Sequence, residues 1–203
     1  MVSYAITVSN ELNEISKLIP FIISNKKNED EIVVLFDNTN GSLEVNEYLT
    51  KIKDITLIKS NEFKNNFADW KNLLSSYCKK KYIFQIDADE MIDKYIIDNL
   101  HQILNSNIDV DLIYLPRINI VNGIDDEHLK KWGWNINENK YINSPDYQGR
   151  IFKNGLLWYG KIHEKIVGFK NYALLPIITE YSLYHEKTLV KQIKQNSFYN
   201  QIS

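Results

Sequence analysis

Three carboxylates in four residues give this chain its clearest chemical signal: Asp87, Asp89 and Glu90, directly after the apolar run Tyr82-Ile83-Phe84-Gln85-Ile86. If extended backbone persists one step past Ile86, the two-residue side-chain period puts Asp87 and Asp89 on one side, with Ala88 turned away. Two hard oxygen ligands then face one small volume. Mg²⁺ and Mn²⁺ favour such oxygens and commonly take only one or two from protein, while phosphates and water complete the shell. A lone D-x-D is also a common chance pattern, and acids after a strand often cap the next helix. Asp93, just ahead of Lys94-Tyr95-Ile96-Ile97-Asp98-Asn99-Leu100, suits the capping role and leaves Asp87 and Asp89 for other work.

The elements that must position these acids follow from the apolar pattern. Tyr4-Ala5-Ile6-Thr7-Val8 reads as a first strand, followed by a helix from Glu11 in which Leu12, Ile15, Ile19 and Ile22 keep helical spacing and Pro20 kinks or shortens the run. Glu31-Ile32-Val33-Val34-Leu35-Phe36 is a second buried strand, ending at the turn-forming Asp37-Asn38-Thr39-Asn40-Gly41-Ser42. A short helix through Val45 and Leu49 leads to a third strand, Ile55-Thr56-Leu57-Ile58. Phe67, Trp70, Leu74, Tyr77 and Cys78 then mark one face of an amphipathic helix ahead of the Tyr82–Ile86 strand. Four strands separated by helices predict right-handed crossovers, a mostly parallel sheet and helices on both of its faces, an α/β fold. In such sheets ligands bind beyond the carboxyl ends of the strands, where Asp37 and Asp87 both lie.

Composition narrows the function classes. The 203 residues suffice for one domain with a sizeable core, and 44% hydrophobic with 25% charged residues is ordinary for a soluble globular protein. A net charge of −2 argues against general nucleic-acid binding, which needs a basic surface. The single cysteine, Cys78, excludes an internal disulfide and a cysteine zinc cluster. No apolar run approaches the ~20 residues of a membrane helix, and Met1-Val2-Ser3-Tyr4 lacks the charged start of a secretory signal. A cytoplasmic location is the expectation, and Asn40-Gly41-Ser42 then reads as a turn rather than a glycosylation acceptor. The turn after the first strand, Ser9-Asn10-Glu11, carries no glycine, and no G-x-x-x-x-G-K-[ST] occurs, so the dinucleotide and P-loop readings drop out. A phosphate binder without a glycine cradle needs positive charge from elsewhere, and a metal on Asp87 and Asp89 would supply it.

The strand-helix-strand opening, the turn at Asp37-Asn38, Phe67-Ala68-Asp69-Trp70-Lys71-Asn72 and Ile86-Asp87-Ala88-Asp89-Glu90 together resemble a family 2 glycosyltransferase of the GT-A fold. Pro145-Asp146-Tyr147-Gln148-Gly149-Arg150-Ile151-Phe152 and Tyr159-Gly160-Lys161-Ile162-His163-Glu164 resemble a branch of that family that includes bacterial cell-surface glycan transferases. The resemblance spans Tyr4 to about His185. It implies one transferase domain over residues 1–203, with a nucleotide-sugar half over 1–110 and an acceptor half over 111–203. It further implies metal-dependent, inverting transfer from a nucleotide-diphosphate sugar, a UDP-sugar first, to a glycan or other hydroxyl acceptor. Asp37 is then a base-contacting acid, Lys71 and Asn72 neighbour the nucleotide with Asp87, and Asp87 and Asp89 hold Mn²⁺ or Mg²⁺. The chain departs from the family at Asn38, where a second acid is usual, and in lacking an evident Glu-Asp pair after Gly160.

Inversion needs a base within reach of the acceptor hydroxyl. Glu164 is the first candidate, since it follows a glycine in an aromatic-rich region, and Asp146 is the second. Glu164 could instead pair with Lys161, Lys165 or Arg150, and His163 could be a core histidine. Asn122 to Tyr147, with Gly123, Asp125-Asp126-Glu127 and Trp132-Gly133-Trp134, reads as an excursion whose aromatics form a saccharide platform or are partly buried. Ile177-Ile178-Thr179-Glu180-Tyr181-Ser182-Leu183-Tyr184 alternates like a strand and delivers His185 at its end. The resemblance makes His185 a further metal ligand, and neutral imidazole suits Mn²⁺. Two alternatives stay open: a sugar-binding domain without turnover, and a phosphohydrolase with an aspartyl nucleophile.

Overall fold

Runs of β-branched and aromatic residues form the strands, and their two-residue alternation decides which helix layer each side chain meets. The computed structural model describes residues 1–202. Strands β1 (Val2–Val8), β2 (Glu31–Asp37), β3 (Thr56–Ser60) and β4 (Tyr82–Asp87) pair in parallel in the order β3-β2-β1-β4. Helices α1 (Leu12–Asn25), α2 (Leu43–Thr50) and α3 (Phe67–Tyr77) connect them. Tyr4 and Ile6 point to one face, where they pack with Ile15, Ile19 and Ile22 of α1 and Val45 of α2. Ala5 points to the other, against Ala68, Trp70 and Leu74 of α3. Each fully buried Ile or Leu contributes roughly 1.5–3 kcal/mol. Cys78 is free and buried in this second layer.

After Asp87 the chain turns at Ala88-Asp89 into a three-residue strand, β5 (Glu90–Ile92), and then into α4 (Lys94–Ser106). Asp93 caps α4 as expected, its Oδ1 accepting from the Tyr95 backbone N–H at 2.7 Å. The remaining strands complete the same sheet: β6 (Leu112–Asn122), β7 (Asp146–Lys153), β10 (Tyr172–Leu174) and β11 (Leu183–Thr188). β7 lies antiparallel between β4 and β6, so the two halves of the chain share one sheet. β11 runs parallel to β6 and antiparallel to β5, and β10 pairs beside the start of β6. A separate hairpin, β8 (Leu157–Tyr159) with β9 (Lys165–Val167), buries Trp158 and Ile166 against α3 and Phe152. Between β6 and β7 the excursion holds α5 (Asp126–Trp132), an isolated bridge of Ile136 with Ile142 and irregular chain, and α6 (Leu189–Ile202) closes the described residues. No helix among them is long and apolar enough to cross a membrane.

Two local expectations are corrected. α1 is not shortened at Pro20 but continues past it to Asn25, with Pro20 on its exposed face, where water can take the carbonyl that a proline frees. The strand expected over residues 177–184 begins only at Leu183, because Thr179–Tyr181 forms a 3₁₀ turn. Ser182 ties that turn off by donating its hydroxyl to Ile178 O at 2.7 Å. His185 is therefore the third residue of β11, not the end of a strand.

Candidate active site

Because β1, β2 and β4 run the same way, the turns that follow them gather at one edge of the sheet, where they floor a cleft of about 1490 Å³. Its β2 end is built by short-range polar bonding. Glu11 Oε2 accepts from the backbone N–H groups of Ser9 at 2.8 Å and Asn10 at 2.9 Å. Asp37 Oδ1 accepts from the N–H groups of Thr39 and Asn40 at 3.0 and 3.1 Å, and its Oδ2 from Asn40 Nδ2 at 2.9 Å. Asp37 thus lines the cleft while shaping its own turn. Asn40-Gly41-Ser42 is that turn, and Ser42 caps α2.

Asp87 and Asp89 both line the cleft but have different partners. Asp87 Oδ1 lies 2.9 Å from Lys71 Nζ, and its Oδ2 lies 2.6 Å from Arg150 Nη2. Burial pushes the Asp87 carboxyl up, but the Arg150 and Lys71 charges outweigh it and hold it well below the usual carboxylate range. Asp89 Oδ2 lies 3.4 Å from His185 Nε2 and 3.4 Å from Lys191 Nζ. Its carboxyl is also held low, burial being outweighed by the His185 hydrogen bond and charge and by Lys191 and Lys187. The 3.4 Å spacings are too long for strong hydrogen bonds.

The other anticipated residues divide similarly. Glu164 lines the cleft, and Lys71 Nζ engages its Oε1 at 2.7 Å. Its ion-pair partner is therefore Lys71, not Lys161, Lys165 or Arg150. Lys71 itself is buried, shared between Asp87 and Glu164, and 4.7 Å from the Trp158 ring centroid. Asn72, expected beside the nucleotide, points away. Its side chain donates to Trp158 O at 2.9 Å and accepts from Trp158 N at 2.8 Å, clamping β8 to α3. Asp146 lines the cleft, bound by Arg117, Asn119 and Gln148; burial pushes its carboxyl up and these partners, Arg117 foremost, bring it down. His163 is exposed rather than core, its ring 5.7 Å from that of Tyr199. Trp132 and Trp134 are both half-buried on the cleft wall, with ring centroids 4.8 Å apart.

Several cleft residues carried no motif. Arg117 and Asn119 alternate with apolar neighbours on β6, a two-residue polar period inside a buried strand that could have marked them. Glu90, the third acid after the Tyr82–Ile86 run, does not line the cleft: it is almost wholly buried, accepting from Arg150 Nη2 at 2.6 Å and Arg117 Nη1 at 3.3 Å. Lys191, Gln195 and Tyr199 recur at four-residue spacing, so one face of α6 meets the cleft. Burial pushes the Tyr199 phenol up to about 12, with Asp87, Glu164 and Asp89 adding to it against the Gln195 hydrogen bond. Lys187 donates to Gln195 Oε1 at 2.7 Å, and its burial pushes the ammonium down to about 8 against the attraction of Asp89.

No family model and no curated protein matches the chain. Solved structures do. S. aureus TarS 1–349 superposes with a TM-score of 0.60 at 12% identity, covering 91% of this chain and 60% of that one. The chain has the GT-A-like fold of TarS. A longer TarS chain matches with a TM-score of 0.62 at 14% identity, over 91% of this chain and 36% of that one. TarS 1–349 in complex with UDP-GlcNAc matches with a TM-score of 0.59 at 15% identity, over 92% and 58%. This chain therefore spans about three-fifths of TarS 1–349, and TarS has been solved with both UDP and UDP-GlcNAc.

Proposed function

We propose that this chain transfers a sugar from a nucleotide-diphosphate donor, UDP-linked by analogy with TarS, to a hydroxyl of a glycan or similar acceptor, with inversion. The observation that carries the proposal is the convergence of Asp37, Asp87, Asp89, Glu164 and His185 on one cleft beyond the carboxyl ends of the parallel strands, in a fold whose relative binds UDP-GlcNAc. The nucleoside lies toward Asp37 and Asn40, the diphosphate over Asp89, and the acceptor toward Trp132 and Trp134.

The donor set fits a divalent cation. Among the described residues no three His, Cys, Asp or Glu side chains lie close enough together to hold a metal by themselves, but Mg²⁺ and Mn²⁺ need only one or two when a diphosphate supplies the rest. Asp89 and His185 face each other across 3.4 Å without a strong hydrogen bond, a spacing a cation can bridge by small adjustment. Asp87 has both oxygens engaged by Lys71 and Arg150, so it acts beside the cation rather than as its main ligand. When bound, the ion stabilises charge developing on the leaving diphosphate.

The chain's own residues do the rest. Glu164 accepts the proton of the acceptor hydroxyl as that oxygen bonds the anomeric carbon and the bond to the diphosphate breaks. Lys71 engages only one of its oxygens and fixes its position. Asp146 is occupied by Arg117, Asn119 and Gln148, so it is the weaker candidate for base.

A panel of nucleotide sugars, assayed with and without Mn²⁺, tests this reading. Metal-dependent transfer or donor hydrolysis that falls by ~10²–10⁴-fold in Glu164→Gln, with donor affinity kept, is the expected result. Tight donor binding without turnover would make the chain a sugar-nucleotide-binding domain, and absence of binding to every donor would end the proposal.

A further inference from the structure

Behind His185 runs a line of half-buried polar side chains set by strand register. Arg117 on β6 is the cross-strand partner of Asp146 on β7, and Asn119, two residues on and on the same face of β6, is the partner of His185 on β11. Asp146 Oδ2 accepts from Arg117 Nε at 2.9 Å and from Asn119 Nδ2 at 2.7 Å, while its Oδ1 accepts from Gln148 Nε2 at 2.7 Å. The Asn119 carbonyl Oδ1 lies 2.8 Å from His185 Nδ1.

These contacts fix the proton on one nitrogen of the His185 ring. The Asp146 carboxylate, held ionised by Arg117, can only accept, so the Asn119 atom facing it is the amide nitrogen. The Asn119 carbonyl therefore faces His185, and because a carbonyl also only accepts, Nδ1 must carry a proton. In the neutral imidazole that leaves Nε2 with its lone pair, and Nε2 is the atom 3.4 Å from Asp89 Oδ2. An open Nε2 beside the Asp89 carboxylate, whose Oδ2 also has the Lys191 ammonium at 3.4 Å, forms a nitrogen–oxygen pair that a cation taking the place of that ammonium can join.

We propose that Asp146 is a positioning residue that acts through Asn119 to hold His185 in its Nδ1–H tautomer, keeping Nε2 open for the cation that Asp89 also binds. This rests on the reading of Asp89 and His185 as cation ligands. It assigns to Asp146 a task other than proton abstraction, and it explains why three donors converge on a carboxylate at the cleft wall. Histidines that bind metals commonly use the second ring nitrogen in this way, and loss of such a partner costs about 10–100-fold in metal affinity.

The experiment reads the tautomer first, without metal. Histidine-labelled protein is examined by long-range ¹H–¹⁵N correlation at a pH well above the ordinary histidine value of about 6.5, with the His185 signals assigned by their loss in His185→Ala. The parent is expected to show the Nδ1–H form. In Asn119→Ala the constraint is gone, and in Asp146→Asn the Asn119 amide can turn over and donate to Nδ1, so both are expected to shift toward Nε2–H. Manganese titration followed by electron paramagnetic resonance is expected to show 10–100-fold weaker binding in both variants. An Nε2–H form in the parent, or variants that change neither tautomer nor manganese affinity, overturns the proposal. If the tautomer behaves as expected while the parent binds no manganese, the positioning role stands and the cation reading falls. The parent tautomer is read without Asp146→Asn, so a poorly folding Asp146→Asn does not rescue a wrong assignment.

Discussion

Replacing Lys71 with methionine removes an ammonium while keeping most of its stem. Lys71 is 3% exposed, with Nζ 2.9 Å from Asp87 and 2.7 Å from Glu164. Arg150 remains on Asp87 at 2.6 Å, so the group stranded by the change is chiefly Glu164, whose side chain is only 14% exposed. Removing one partner of a buried ion pair costs about 3–5 kcal/mol, against about 0–1 kcal/mol for a surface pair. The surviving Arg150 contact puts Lys71→Met at the lower end, about 3 kcal/mol. Total stabilities of about 5–15 kcal/mol make that loss easy to see by urea unfolding, with the denaturant slope unchanged. Adding Glu164→Gln takes away the stranded charge, so the double variant should be about 1–2 kcal/mol more stable than the sum of the two single changes predicts. A Lys71→Met loss under about 1 kcal/mol, or strict additivity, would show that water already screens this pair, and that Lys71 does not fix the base.

Asp37→Ala should weaken binding even of a free nucleoside, since the carboxylate both lines the cleft and accepts from Thr39 and Asn40; calorimetry giving equal nucleoside affinity in variant and parent would remove it from the site. Acidification should cost the parent more stability than it costs Asp146→Asn. The folded Asp146 carboxyl sits below its ordinary value near 3.9, so its contribution is present above that value and drains as pH falls through it toward the lower folded value. Stability curves of the two proteins that run parallel between about pH 5 and pH 3 would contradict this.

The parallel half of the fold was legible because burial on both faces leaves continuous apolar runs, and each of those runs ended in a recognisable turn. Asp37, Asp87 and Asp89 stood out for the same reason: they break apolar strands abruptly. The antiparallel insertion of β7 between β4 and β6 was not legible, since period-two alternation fixes which face a residue takes but not which strand lies beside it. That pairing brings Arg150 onto Asp87, and Arg117 onto Asp146, from 63 and 29 residues away. Asn72 misled because it lies in a motif and on a helix next to the cleft, yet helical geometry turns it about 100° from Lys71, toward the β8 backbone. The residues before β11 misled: Ile177 and Ile178 look like strand in composition, but both are exposed and precede the 3₁₀ turn.

Two acids one residue apart thus serve different networks, and Glu90 links them. Asp87 gathers α3 through Lys71 and β7 through Arg150, and Lys71 in turn holds Glu164 in the loop before β9. Asp89 faces β11 through His185 and α6 through Lys191. Between them Glu90 Oε2 accepts from the Asp87 backbone N–H at 3.1 Å, while its Oε1 takes Arg150 and Arg117, the latter also holding Asp146. A carboxylate so deeply buried is stable only because two guanidinium groups neutralise it, and each of those groups reaches a second acid of the cleft. The turn at Ala88 is therefore held by charge from both sides, which fixes Asp87 and Asp89 relative to each other more firmly than a two-residue turn could alone. Such preorganisation is what a site needs if charge is to develop on a diphosphate without the surrounding groups having to reorient.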